Sequence, residues 1–347
     1  MAAIPPLFCP IPSALHPDHE SVGKSTELWL ETMGFSTDPE QRRRLLAIGA
    51  HEFVCRIARD AEGTTGLELV SQWLCSMLTL DDEWDTGELN RDPSRVLTIA
   101  ATLLAVINSP NSHLHQTDRY GESVRDVFRR AREWAPAPTV RRWADSQLES
   151  FMGAATVVAF RAEGKTMSLA EYLTVGPLDR GSRSCIDIIE VCERTCLPQS
   201  QLDSPRVHAL TQAAKFLVLI AADLYSYRRE DSQGALQSNM VDAVQRHLAC
   251  DRERALHETA ALHDRTMCLF LRLADRTSRR AGPELRRYVR QLSNLVSGNL
   301  EWGFTSARYA PRQPGTIPVA ERADRPADGR LTPPPYPEIS WWWDQLW

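Results

Sequence analysis

Residues 67–85 read LELVSQWLCSMLTLDDEWD, an apolar stretch at helical spacing that runs straight into three aspartates and a glutamate. Trp73, Leu74, Met77 and Leu78 recur at the three- and four-residue steps of a helix with a buried face. Asp81 and Asp85 lie one turn apart and so share a side of that helix. Together with Asp82 they place hard oxygen ligands at the mouth of a greasy segment. That arrangement suits Mg2+ held jointly by protein carboxylates and the phosphate oxygens of a substrate. Taken alone, such a cluster is more often the solvated end of an ordinary helix.

The same rhythm recurs along most of the chain and predicts helices over 38–59, 67–80, 95–106, 121–134, 138–162, 169–174, 185–195, 205–229, 240–248, 252–274 and 283–304. Breaks fall at Gly63, Pro110, Pro136, Pro138, Pro177 and Gly234. Few stretches alternate as strands do, so the expected fold is all-α. With 347 residues, 43% of them hydrophobic, the chain can bury one large core or two modest ones. Residues 1–20 read as a proline-rich arm, 21–311 as the helical domain and 312–347 as a tail dense in proline. The tail ends in Trp341, Trp342, Trp343 and Trp347, which are costly to leave in water. They are expected to dock on the body or on a partner chain, with a lid as one role for the tail.

A formal charge of −5 removes the long-range attraction that nucleic-acid binders use. No unbroken run of apolar residues reaches membrane-spanning length, and Met1 to Pro12 lacks the pattern of a signal peptide, so a cytoplasmic protein without membrane insertion is expected. The eight cysteines include no Cys-x-x-Cys pair and are expected to be reduced and mostly buried, with Cys192 and Cys196 on one helical face. His113 and His115 suit an exposed loop, and Arg125, Arg129 and Arg130 a solvated helix face. The basic pairs Arg279-Arg280 and Arg286-Arg287 do not outweigh the net acidity.

A second constellation, residues 222–230 reading ADLYSYRRE, ends another apolar helix that contains Phe216, Leu217, Val218, Leu219 and Ile220. Ser226 and Glu230 are one turn apart, so a hydroxyl and a carboxylate on one face can ligate a second Mg2+. Arg229 beside them can grip a diphosphate oxygen with a charge-assisted hydrogen bond. Further on, Trp302 is followed by Arg308 and Tyr309, a guanidinium and a phenol that are both donors suited to phosphate.

These three motifs, in this order, resemble those of bacterial class I terpene synthases: an aspartate-rich motif, an Asn-Asp-x-x-Ser-x-x-x-Glu metal motif and a terminal Arg-Tyr pair. The resemblance also takes in Pro10 to Pro17, Trp29 before Gly34, Glu171-Tyr172-Leu173 and Asn239-Met240-Val241, and so spans about residues 10–311. It implies a class I terpenoid synthase helical bundle around a central apolar cavity and three Mg2+ ions bound with diphosphate. It implies ionisation of an isoprenyl diphosphate and cyclisation of the carbocation to a hydrocarbon or alcohol. Arg229, Arg308 and Tyr309 then hold the leaving diphosphate, while Asp81, Asp82, Asp85, Ser226 and Glu230 hold metal. Trp73, Met77, Phe151 and Trp302 would line the substrate pocket, with Met152 and Phe160 as further candidates. The small run Gly153-Ala154-Ala155 would widen it, favouring a C20 geranylgeranyl chain over a C15 farnesyl one. Squalene synthases and chain-elongating prenyltransferases share the fold but carry paired aspartate-rich motifs. A prenyltransferase of this fold, a noncatalytic helical relative and a homodimer are the remaining alternatives of activity and assembly.

Two positions depart from the pattern. Ala222 stands where an asparagine or aspartate ligand is expected, and Asp223, about 100° further around the helix, is the nearest carboxylate and the candidate metal ligand in its place, through a local change of register or a bridging water. Gly176 stands where the pattern Tyr-Leu-x-x-Arg has a diphosphate-sensing arginine, with Arg180 and Arg183 as the candidates to replace its charge.

Overall fold

The computed structural model describes residues 3–35, 43, 45–112, 118–233, 238–309 and 322–347. In chain order the elements begin with strand β1 (Leu7–Phe8) and helices α1 (His19–Thr32), α2 (Ala50–Ile57), α3 (Thr65–Thr86), α4 (Pro93–Asn108), α5 (Arg119–Trp134) and α6 (Ala137–Ala162). They continue with α7 (Leu169–Asp179), α8 (Ser184–Glu193), α9 (Gln199–Leu202), α10 (Pro205–Gln233), α11 (Met240–Leu248), α12 (Arg252–Arg279) and α13 (Pro283–Thr305). Strand β2 (Arg322–Ala323), α14 (Pro337–Ser340) and a 3-10 turn (Trp343–Leu346) complete the described chain. His113, His115, Gly234, the start of the first predicted helix and the prolines at 311, 314 and 318 lie outside these residues.

The helices form two compact units. One comprises Ala14–Lys165 and Leu178–Cys196 and is built around α3, on which α1, α2, α5, α6 and α8 all pack. A helix enclosed on that many sides must be apolar around most of its girth, and Leu67, Leu69, Val70, Trp73, Leu74, Cys75 and Leu80 are all buried. Trp143 of α6 has no exposed surface; it stacks on Phe128 of α5 at 4.4 Å and meets Trp73 of α3 edge-on at 5.3 Å. Neighbouring helices start where the sequence supplies caps. Asp92 accepts the Arg95 N–H ahead of α4, and Asp118 accepts those of Tyr120 and Gly121 ahead of α5.

The second unit comprises Met1–Ser13, Thr166–Pro177 and Leu197–Trp347, and its central helix is α10, which α11, α12 and α13 contact. By length and composition Pro205–Tyr227 could cross a membrane, yet 78% of its apolar window is buried by its own neighbours, as in the core helix of a folded unit. The tail docks on this unit. Trp342 meets Phe216 of α10 edge-on at 5.4 Å and stacks on Trp343 at 6.2 Å, while Trp347 stays 89% exposed. β1 of the N-terminal arm pairs in parallel with β2 of the tail. Asp264 of α12, fully buried, accepts the Phe8 N–H at 2.9 Å with one oxygen and the Ala327 N–H at 2.8 Å with the other, so a single carboxylate clasps both ends of the chain.

Two expectations are corrected. Helix α7 does not stop before Pro177 but runs through it to Asp179, so the hydrogen bond that proline cannot donate is lost only in the helix's last turn. Cys196 does not share a helical face with Cys192, since α8 ends at Glu193 and Arg194 adopts a left-handed conformation at φ 52°. All eight cysteines are free, four of them buried and four partly exposed.

Replacing the buried Asp264 by alanine removes the acceptor that two backbone N–H groups share. The expected result is a loss of about 3 kcal/mol in urea unfolding together with faster proteolysis of the tail. Unchanged stability and protease resistance would refute the clasp.

Candidate active site

The carboxylates at the end of α3 divide between two directions. Glu83 accepts the Tyr120 hydroxyl at 2.5 Å and an Arg119 N–H at 2.9 Å, and the Arg119 guanidinium lies 5.2 Å from the Phe35 ring centre and 5.0 Å from that of Tyr120. This anchor on α5 sets the rotation of α3 about its axis. Asp81, Asp82 and Asp85 are half-buried. Asp85 accepts an Arg161 N–H at 2.7 Å, and the other terminal nitrogen of Arg161 reaches the Trp84 carbonyl at 3.4 Å. Between the aspartates, Trp84 is buried and meets Phe151 edge-on at 5.7 Å, so an aromatic pair underlies the acidic motif. Met77 is half-buried, whereas Trp73 belongs to the aromatic core with Trp143.

Asp179, at the end of α7, lies within electrostatic reach of Arg180, Asp85, Asp81 and Arg161. Low-polarity surroundings are the main cause that pushes its carboxyl up to about 7; Arg180 opposes this, and the two aspartates add to it. Its position depends on Gly153. A Cβ there would sit 2.6 Å from the Leu178 carbonyl carbon and closer still to the Asp179 nitrogen. The expectation that Gly153 widens a pocket is therefore corrected: this glycine makes room for the backbone of α7. Met152, its neighbour, is 51% exposed on the far side of α6. Gly153→Ala is expected to destabilise by about 1–3 kcal/mol and to lower activity together with stability, since the backbone of Asp179 must move. A variant with wild-type melting and turnover would exclude this role.

Arg183 donates to Glu149 and lies 3.6 Å from Asp187, so its guanidinium is committed to the packing of α6 against α8. Of the two arginines expected to carry the missing charge, Arg180 is the one beside Asp179. Burial pushes the Asp187 carboxyl up to about 7 against the pull of Arg183. Between its ordinary value near 4 and about 7, the folded chain keeps a proton that the unfolded chain has released, so this group's stabilising share is lost as pH rises through 7. In denaturant titrations from about pH 5 to pH 8, the wild type should lose stability relative to Asp187→Asn; parallel curves would contradict the assignment.

The end of α10 is organised by Asp223, which has no exposed surface. Its carboxylate accepts the Tyr172 hydroxyl and, at 2.8 Å, the Met240 N–H. Asp223 is thereby committed to joining α7, α10 and α11, which accounts for its presence beside the non-ligating Ala222. Asn239 caps α11 by accepting the Val241 N–H at 2.9 Å, and its amide donates to the Asp223 carbonyl at 3.0 Å and to Glu230 Oε2 at 2.9 Å. Ser226 and Glu230 are 3% and 5% exposed. Arg229 reaches the Arg308 carbonyl at 3.5 Å, and the Tyr309 ring meets Trp302 edge-on at 5.4 Å and Tyr225 at 5.7 Å. One unit thus brings together Ser226, Arg229, Glu230, Arg308 and Tyr309. Gly176 belongs to the same construction, because a Cβ would lie 2.9 Å from the Tyr172 ring and displace the hydroxyl that Asp223 needs.

Sequence reading gave no role to Arg161, Asp179, Tyr172 or Asn239. Asn239 and Tyr172 stood in quoted segments without an assigned contact, and a lone arginine at the end of α6 carries no signal. Among the described residues, no group of three or more His, Cys, Asp or Glu side chains converges at metal-binding spacing. The donors at both helix ends are oxygens alone, and that chemistry fits a hard divalent cation that takes only one or two carboxylates from protein and completes its shell with phosphate and water.

The family described as terpene synthase family 2, C-terminal metal binding, matches residues 72–268, from one residue before Trp73 to well past Glu230. Bonnadiene synthase of Allokutzneria albata is 29% identical, with 98% of this chain and 97% of that protein covered. A germacradien-6-ol synthase of Streptomyces pratensis is 28% identical over 99% of this chain and 97% of its own length. Among solved structures, the SVS_A2 protein from ancestral sequence reconstruction superposes with a TM-score of 0.88 at 27% identity, covering 99% of this chain and all of that one. Helices that carry the acidic motifs, a match that spans both of them, and relatives similar along their whole length lead to one conclusion: the chain belongs to the bacterial class I terpene synthases, lyases of the terpene synthase family 2 metal-binding group.

Proposed function

We propose that this enzyme ionises a linear isoprenyl diphosphate in a Mg2+-dependent reaction and cyclises the resulting allylic cation, with geranylgeranyl diphosphate preferred to farnesyl diphosphate. The observation that carries the reading is the assembly of Ser226, Glu230, Arg229, Arg308 and Tyr309 within one unit, with Asn239 orienting Glu230. The C20 preference rests on a relative named as a diterpene cyclase, set against two (+)-T-muurolol synthases whose names specify farnesyl diphosphate. The small run on α6 no longer supports it, because Gly153 is filled by backbone.

Asp81, Asp82 and Asp85 on α3 would hold metal, as would Ser226 and Glu230 on α10, and three Mg2+ ions would neutralise charge growing on the leaving group. Arg229, Arg308 and Tyr309 donate to diphosphate oxygens as the carbon–oxygen bond breaks and its electron pair leaves with the diphosphate. Asp223 serves by fixing the last turns of α10. The Trp84–Phe151 pair below the α3 carboxylates offers ring faces and edges that exclude water from the cation. Loss of a proton, or capture of water, ends the reaction and yields a hydrocarbon or an alcohol.

The test is incubation of the purified chain with C10, C15 and C20 diphosphates, with Mg2+ or with chelator, followed by mass analysis of organic extracts and assay of released diphosphate. Cyclic products with Mg2+ alone, most from the C20 substrate, are expected. Glu230→Gln should lower kcat by at least about a hundredfold, and Asn239→Ala should weaken Mg2+ affinity by about 10–100-fold, so that more Mg2+ is needed for half-maximal activity. Transfer of the prenyl group to an isoprenoid acceptor would replace cyclisation with condensation, and no diphosphate release from any substrate would reject the reading.

A further inference from the structure

Asp81 and Asp85 occupy the last two turns of α3, where the carbonyl end of the helix carries partial negative charge. Carboxylates are unfavourable there, and Asp179 adds a third within electrostatic reach. The compensating group is Arg161, in the last turn of α6. Its side chain is only 9% exposed, one terminal nitrogen lies 2.7 Å from Asp85 and the other 3.4 Å from the Trp84 carbonyl. A half-buried carboxylate proposed as a metal ligand is therefore already held by a guanidinium. One of the two contacts is to an ionic group that a more strongly charged anion can replace, while the other is to a fixed backbone oxygen.

We propose that Arg161 is a diphosphate-binding residue of this enzyme: it holds Asp85 while the site is empty and exchanges Asp85 for a diphosphate oxygen when substrate arrives. The planar fork suits a phosphate oxygen at least as well as a carboxylate, and the Trp84 carbonyl keeps the guanidinium in place during the exchange. Asp85, once released, is available as a ligand. The inference rests on the diphosphate chemistry proposed above and assigns to Arg161 a role beyond it, in which one guanidinium opposes metal binding alone and favours metal together with diphosphate.

That pair of opposed effects is what the experiment reads. Binding of Mn2+ alone and of inorganic diphosphate with Mg2+ is measured by calorimetry for the wild type, Arg161→Gln and Arg161→Lys, with thermal unfolding recorded in parallel. Arg161→Gln should bind diphosphate about 10–100-fold more weakly, the effect of one lost charge-assisted bond, yet bind Mn2+ alone more tightly because its competitor is gone. Arg161→Lys, which keeps the charge and loses the fork, should fall between and keeps the test open if the glutamine variant folds poorly. Unchanged affinities, or equal losses of both, would reduce Arg161 to a packing residue and overturn the proposal. Failure of the wild type itself to bind diphosphate with Mg2+ would instead overturn the reaction on which it rests.

Discussion

A carboxylate with no exposed surface must find donors or lose its charge, and Asp223 finds them in the Tyr172 hydroxyl and the Met240 N–H. Much of the second motif follows from that requirement. The Tyr172 ring can reach Asp223 only because residue 176 is glycine, and the start of α11 can reach it only with its N–H groups turned inward. Asn239, which caps α11, then stands where its amide bridges the Asp223 carbonyl and the Glu230 carboxylate. Glu230 thus accepts a hydrogen bond from a residue whose own place is set by its cap on α11.

The acidic end of α3 obeys a similar constraint with different partners. Glu83 is spent on Tyr120 and Arg119, which fixes the roll of the helix, and Asp85 is paired with Arg161. Adjacent acids therefore perform separate tasks: Glu83 is structural, while Asp81 and Asp85 lie within electrostatic reach of Asp179. Local propensity would not separate them, because all sit on one well-formed helix and differ only in the direction of their side chains.

Family resemblance and physical reading meet most usefully at the departures. Gly176 looks like the loss of an arginine when judged by pattern, but in the structure it is the space that Tyr172 needs. Ala222 has no side-chain donor of its own, and the neighbouring Asp223 carboxylate accepts from Tyr172 of α7 and Met240 of α11. The Gly153 run looks like a widened pocket and is instead a seat for the α7 backbone.

The helical fold was legible from the 3.6-residue period, and the two acidic motifs from their place after apolar stretches of long helices, because burial of a helix face and the spacing of one turn are written locally. The ends of α7 and the fate of Cys196 were not, as a proline near a helix end is decided by what packs there. Which acids serve as struts was decided only by tertiary structure. Asp85 meets an arginine 76 residues away and Asp223 a tyrosine 51 residues away, and no local pattern encodes a partner at that distance.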